Sequence, residues 1–300
     1  MDIIEPTSKD EELLSPEFLH KLEQLSLVAK RVFPGRMRGE RRSSKRGASV
    51  EFADYRNYTI GDDFRRVDWN VYARLEKLFM KLFIEEEDLH VYVLIDASRS
   101  MAFGSPSKLL YAKRIAAALG YIALSGLDKI SYAALSGDTA SILPPKRGKG
   151  NIFPVFDWLN GITGDGRTKL ADSIRDFTLR TRTPGIAVLI SDCFDQDYEK
   201  GILALLSRRF EVSLIHVLDD EELRPTIVGD IKLIDSETGD EREISVSPAL
   251  LRRYEQAVAA FCSRIESFCL KYGVNYIRTT VGSDFEDLIL NYLRRRGMVK

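Results

Sequence analysis

Histidine and cysteine are scarce in this chain, with three of each among 300 residues. His20, His90 and His216 lie far apart, and Cys193, Cys262 and Cys269 are too few and too odd in number for a disulfide framework. A clustered zinc site and a histidine-based triad therefore find no support in the sequence. The cysteine usage fits a reducing, cytoplasmic setting. An excess of charge of one sign is also lacking: 44 Lys+Arg against 45 Asp+Glu leave a net −1, so any pull toward nucleic acid or a membrane surface must be local. The longest apolar run, Ile115 to Leu124, is far short of the roughly 20 residues that span a bilayer. The acidic, polar first fifteen residues do not read as a secretory leader. No serine sits in a G-x-S-x-G elbow, no G-x-x-x-x-G-K-S/T loop exists, and no G-x-G-x-x-G follows a strand. Arg147-Gly-Lys-Gly150 lacks the spacing and the hydroxyl of a phosphate loop and reads as an exposed turn.

What is present is a foldable chain. Hydrophobic residues make up 44% and charged residues 30%, enough apolar content for a packed core. The length allows two domains, or one large domain with an extension. After an acidic leader, Phe18, Leu22, Leu25 and Ala29 recur at spacings of three and four, which predicts a short helix from Pro16 to Val32 ended by Pro34-Gly35. Residues 36–46 are densely basic. Residues 48–75 mix aromatic and charged residues without a clean period and read as loops and short elements anchored by their rings. From Leu78 strands alternate with helices. Apolar runs at 78–84, 91–95, 130–135, 141–143, 186–190, 212–217 and 274–278 predict strands. Helices are expected over 108–124, 153–159, 170–181, 198–206, 248–272 and 285–295. Residues 226–246 form a predicted hairpin turning at Ser236-Glu-Thr-Gly239. Such alternation predicts an α/β fold with a mostly parallel sheet covered by helices.

The most informative motif, Asp96-Ala-Ser98-Arg-Ser100-Met101, directly follows the apolar strand 91–95. Ligand sites of open α/β sheets lie beyond the carboxyl ends of strands. In extended backbone, positions i, i+2 and i+4 point the same way, so Asp96, Ser98 and Ser100 can converge. One carboxylate with two neutral hydroxyls makes a hard-oxygen site suited to Mg²⁺ or Mn²⁺. Thr168, in Gly164-Asp-Gly-Arg-Thr168, and Asp192, after the strand 186–190, would complete an oxygen shell from three separate segments. The same residues also suit a plainer role, as helix caps and turn residues.

Asp96-x-Ser98-x-Ser100, Thr168 and Asp192 together resemble the metal-ion-dependent adhesion site of von Willebrand factor type A domains. Upstream, Gly39, Ser43, Gly47, Glu51-Phe52, Arg56, Tyr58, Gly61-Asp62-Asp63, Arg65, Val67-Asp68-Trp69 and Ala73-Arg74 resemble the signature of the domain-of-unknown-function 58 family. That family joins such a segment to a von Willebrand A-like domain. The resemblance covers about residues 36–296. One departure is Arg167, where a glycine often precedes the metal-site threonine. The resemblance implies a von Willebrand A-like domain over 78–300, with a hairpin insertion near 226–246. Before it come a leader and short helix at 1–35 and a family-specific β-containing extension at 36–77 packed on the core. It further implies a divalent ion, Mg²⁺ or Mn²⁺, held by Asp96, Ser98, Ser100, Thr168 and Asp192. An acidic side chain of a protein partner would complete the ion's shell. Relatives of this kind accompany MoxR-type AAA+ ATPases in assembling or maturing other proteins, a role of binding more than catalysis.

Two other functions are open at this point. Asp96 and Asp192 at strand ends could hold Mg²⁺ against a phosphate in a phosphoryl-transfer enzyme, although Ser98 stands where a D-x-D motif has its second aspartate. The basic stretch 36–46 could form a nucleic-acid arm, although it has no interleaved aromatics. The acidic-basic clusters at Asp62-Asp63, Arg65-Arg66 and Asp68 with Arg74 read as structural ion pairs and turn residues, and Glu85 to Asp88 as a polar strand end.

Overall fold

The computed structural model describes residues 13–29, 50–59, 64, 67–85, 90–164, 169–227, 229–234 and 241–292. In chain order its elements are α1 (Pro16–Ala29), β1 (Val50–Asn57), α2 (Trp69–Leu75), β2 (Phe79–Glu85), β3 (His90–Asp96), α3 (Lys108–Ser125), β4 (Lys129–Ser136), β5 (Thr139–Arg147), α4 (Ile152–Asn160) and α5 (Leu170–Arg180). They continue with β6 (Ile186–Ser191), α6 (Tyr198–Ser207), β7 (Glu211–Leu218), α7 (Asp220–Leu223), β8 (Gly229–Ile234), β9 (Glu241–Val246), α8 (Pro248–Tyr272), β10 (Asn275–Thr280) and α9 (Phe285–Asp287). The chain divides into two compact units, Phe33–Asp88 and Met1–Val32 with Leu89–Lys300.

The larger unit is built on a six-stranded sheet in the order β10-β7-β6-β3-β4-β5. All neighbours are parallel except β5, which runs antiparallel to β4. Strands β3, β6 and β7 are buried along nearly their whole length, as the continuous Val/Ile/Leu runs of a sheet covered on both faces require. On one face α5, α6 and α8 close a core in which Ile174, Phe177, Ile202, Leu205, Ile265 and Phe268 meet Tyr92, Leu94, Leu189 and Leu214. The other face is covered by α3, whose Ala-rich surface is buried. Gly120 lets α3 approach β4: a Cβ there would lie 1.9 Å from Tyr132 Oη, and that hydroxyl donates to the Ala116 carbonyl at 3.1 Å. Outside α3 lie α1 and α4, and Phe18 of α1 meets Phe285 at 5.1 Å between ring centroids.

Local signals set the ends of α8. Ser247 caps it, with Pro248 at the first helical position. It stops at Gly273 (φ 69°), where the Val274 and Gly273 amides donate to the Cys269 and Leu270 carbonyls, the hydrogen-bond pattern of a Schellman motif. At 25 residues α8 is long, but among the described residues no helix is long and apolar enough to cross a membrane.

The smaller unit pairs β1 with β2 antiparallel, with a register shift between Phe52 and Asp54. Asp68 is buried. Its Oδ1 caps α2 by accepting the Asn70 and Val71 amides, and Oδ2 accepts the Tyr55 hydroxyl at 2.9 Å.

The short elements expected over 48–75 include a strand and a two-turn helix, whose periods are hidden by the register shift of β1 and the shortness of α2. The structure departs from the expected elements in two places. Strand β5 is nine residues long and passes through Pro144-Pro145. Those two residues oppose Ser131 alone, between the Tyr132–Leu143 and Ile130–Lys146 pairs, an edge bulge where a missing N–H costs no ladder bond. Of the expected helix 285–295, the described part is one α turn, Phe285–Asp287, followed by a π turn, Leu288–Tyr292, and residues 293–295 lie outside the described residues. The hairpin is present as β8 and β9. Its turn, the basic stretch 36–46, Asp62-Asp63, Arg65-Arg66 and Glu86 to Asp88 lie outside the described residues.

Candidate metal centre

Strand β3 has β4 on one side and β6 on the other: the chain passes from β3 to β4 and β5 and then returns past β3 to lay β6 on its opposite side. The carboxyl ends of β3 and β6 flank the resulting crevice, the place where open α/β sheets hold ligands. Asp96 is the last residue of β3 and Ser191 the last of β6.

Asp96 is 2% exposed; its Oδ1 accepts from the Ser98 amide at 3.0 Å and its Oδ2 from the Ser191 hydroxyl at 2.6 Å. Lone pairs remain on both oxygens. Ser98 keeps an extended backbone, and the chain then turns into a short 3₁₀ helix, Arg99–Ala102. The side of that turn, not continued extension, brings Ser98 Oγ and Ser100 Oγ to 3.0 Å. Met101, fully buried, pins the turn to the core, and the Ala97 amide ties its start to the Leu135 carbonyl at 2.9 Å.

Asp192 follows β6 and is wholly buried. Cys193 adopts a left-handed backbone (φ 55°), sparsely populated for a residue with a side chain. Around this bend the Cys193 amide donates to Ser191 Oγ at 2.9 Å and the Phe194 amide to Asp192 Oδ1 at 3.1 Å. Asp192 Oδ2 accepts from Lys108 Nζ at 2.7 Å. The Asp192 carbonyl lies 3.0 Å from His216 Nε2, with Tyr276 Oη 2.9 Å from Nδ1. A carbonyl only accepts, so Nε2 carries the proton; burial lowers this imidazole to about 4. Burial, then the charge of Asp192, raises the Asp96 carboxyl to about 7 against the hydrogen bonds from Ser191 and Ser98.

The sequence-predicted residues Asp96, Ser98 and Ser100 are thus brought together, with Asp192 in the adjoining loop close enough to act electrostatically on Asp96. Thr168 lies outside the described residues. The flanks of its loop meet both neighbouring segments. A Cβ on Gly164 would contact Ala102 Cβ at 3.3 Å and the Ser98 carbonyl at 3.4 Å, and the Leu170 amide donates to Asp195 Oδ2 at 2.6 Å. Among the described residues no group of three or more His, Cys, Asp or Glu side chains could hold a metal. An ion here would draw on serine hydroxyls as well as carboxylate, and that donor set fits Mg²⁺ or Mn²⁺.

Sequence reasoning missed Ser191, Lys108 and Glu222. Lys108 is 0% exposed and also bonds Glu222 Oε1 at 2.5 Å, with Nζ 4.8 Å from the centre of the Phe194 ring. One signal was available: a cation in the first turn of a helix opposes the macrodipole, which asks for compensating acids nearby.

Residues 54–262 match the family described as protein of unknown function DUF58. An uncharacterized protein of Mycobacterium tuberculosis is 28% identical over 293 residues, covering 94% of this chain and 91% of its own length. An uncharacterized protein of Mycobacterium avium is 30% identical over 139 residues, 46% of this chain and 80% of that protein. Among solved structures, the conserved hypothetical protein BatB from Bacteroides thetaiotaomicron aligns with a TM-score of 0.43 at 16% identity, over 70% of this chain and 99% of its own. The SpRpn10 VWA domain aligns with a TM-score of 0.40 at 13% identity, over 68% and 94%.

Proposed function

The chain belongs to the DUF58 family, proteins of unknown function, and from that premise we propose that it is a divalent-cation-dependent protein-interaction module. The observation that carries this reading is the 3.0 Å pair of Ser98 and Ser100 hydroxyls beside the buried Asp96 carboxylate, at the carboxyl ends of β3 and β6. In this reading Asp96, Ser98, Ser100 and Asp192, joined by Thr168, hold Mg²⁺ or Mn²⁺. The ion supplies a concentrated positive charge for an acidic side chain of a partner protein. The chain's own contribution is orientation. Ser191 and the Ser98 amide fix the Asp96 carboxylate, and the bend at Cys193 fixes Asp192. The 3₁₀ turn leaves Ser100 partly exposed where a partner can approach. The partner system inferred from the family resemblance is a MoxR-type AAA+ ATPase with a client protein, in a reducing cytoplasm that suits three free, buried cysteines.

No observation favours the phosphoryl-transfer alternative. Lys108, the cation beside Asp192, is buried and bonded to two carboxylates, so it is not offered to a phosphate. Affinity capture on the immobilised chain tests the reading. Partners retained in Mg²⁺ should be released by EDTA and absent from Asp96→Ala. Retention indifferent to both changes contradicts it, as does Mg²⁺-dependent phosphatase turnover that Asp96→Ala abolishes.

A further inference from the structure

Lys108 is the first residue of α3, capped by Ser107, yet its ammonium is held among acids from two other loops. Asp192 comes from the segment after β6 and Glu222 from α7, after β7. Glu222 is itself held in place: Oε2 accepts the Asp219 amide at 2.9 Å, and its carbonyl accepts the Tyr254 hydroxyl of α8 at 2.8 Å. Asp219 in turn lies against the loop before α3, where Gly104 (φ 98°) has no side chain; a Cβ there would lie 2.3 Å from Asp219 Oδ2. The Phe194 ring flanks the ammonium.

Stability alone does not account for this arrangement. A cation in a helix's first turn is unfavourable, and a buried ion network is commonly no more stable than an apolar replacement of similar volume. What the network does is electrostatic. Asp96, Asp192, Asp219 and Glu222 bring four carboxylates to this end of the sheet, and Lys108 offsets one of them. The lysine competes with a divalent ion for Asp192, and without it the loaded centre would be more negative by one charge and would repel an incoming carboxylate more strongly.

We propose that Lys108 is a positioning residue of this site, a resident cation that holds one oxygen of Asp192, weakens the hold on a divalent ion and keeps the loaded centre receptive to an acidic ligand. The inference rests on the reading that Asp96, Ser98, Ser100 and Asp192 take the ion. Glu222 draws the ammonium partly away from Asp192 and opposes this effect.

The two ends of the bridge therefore have opposite predicted effects, which a merely structural role would not produce. Mn²⁺ alone is titrated calorimetrically into the full chain, with thermal unfolding recorded for every variant. Lys108→Met should bind Mn²⁺ about tenfold more tightly or better, and Glu222→Gln more weakly than wild type. Should Lys108→Met fail to fold, the double variant Lys108→Met/Glu222→Gln, which carries one unpaired carboxylate fewer, should still bind more tightly than wild type. Binding by wild type with equal or weaker affinity in the folded lysine variants overturns the role of Lys108 and leaves the metal reading standing. No binding by wild type but binding by a lysine variant overturns the proposed function, since the natural chain then excludes the ion, and with it the claim that Lys108 tunes a loaded centre. No binding by any variant overturns both.

Discussion

At the scale of single residues, Asp96 sits under opposing demands. Burial and the neighbouring Asp192 raise its carboxyl to about 7, while Ser191 and Ser98 stabilise the ionised form. Because this lies above the ordinary 3.8, between about pH 4 and pH 7 the folded chain keeps a proton that the unfolded chain has lost. The contribution of this group to stability therefore falls as pH rises through that window. Asp96→Asn does not titrate. In EDTA its melting temperature should gain on that of wild type between about pH 5 and about pH 8, and saturating Mg²⁺ should raise the wild type but not the variant. Scanning calorimetry at the two pH values checks this; a constant difference between the two proteins would contradict it. Asp96, Ser98 and Ser100 were legible in the sequence because a carboxylate and two hydroxyls directly follow an apolar strand. Their convergence was expected from extended backbone, and it arises from a 3₁₀ turn instead. Ser191, Lys108 and Glu222 were not legible, since each acts on a partner at least 84 residues away and no local period encodes such a contact.

At the scale of elements, the buried strands and α8 could be read from the chain, because unbroken apolar runs and the Ser-Pro…Gly cap signals are local. Strand β1, helix α2 and the proline-containing half of β5 could not, since a register shift, a two-turn length and an edge bulge each erase the period. The contact between α3 and β4 depends on one absent side chain. Gly120→Ala would set a methyl group 1.9 Å from Tyr132 Oη and 3.2 Å from Cζ. It should cost about 1–3 kcal/mol by overpacking. Adding Tyr132→Phe removes the nearer clash together with the bond to Ala116, so the double variant should lose less than the sum of the two singles. Additive losses in urea unfolding would show that the helix moves away freely.

At the scale of the whole molecule, the shortage of histidine and cysteine has a structural counterpart. The sheet's switch point gathers hard oxygen donors, and among the described residues Lys108 is the buried lysine there. The α/β class and mostly parallel sheet were legible from strand-helix alternation. The sheet order was not, because the placement of β6 beside β3 comes from crossovers that leave no local trace. Yet that order is what sets Asp96 next to Ser191 and Asp192. Whether this junction binds a divalent ion is decided by calorimetric titration of Mn²⁺ into wild type and Asp96→Ala. One ion should bind saturably to the wild type and about tenfold or more weakly to the variant. Equal binding by the two proteins, or none by either, would contradict a divalent-ion site there.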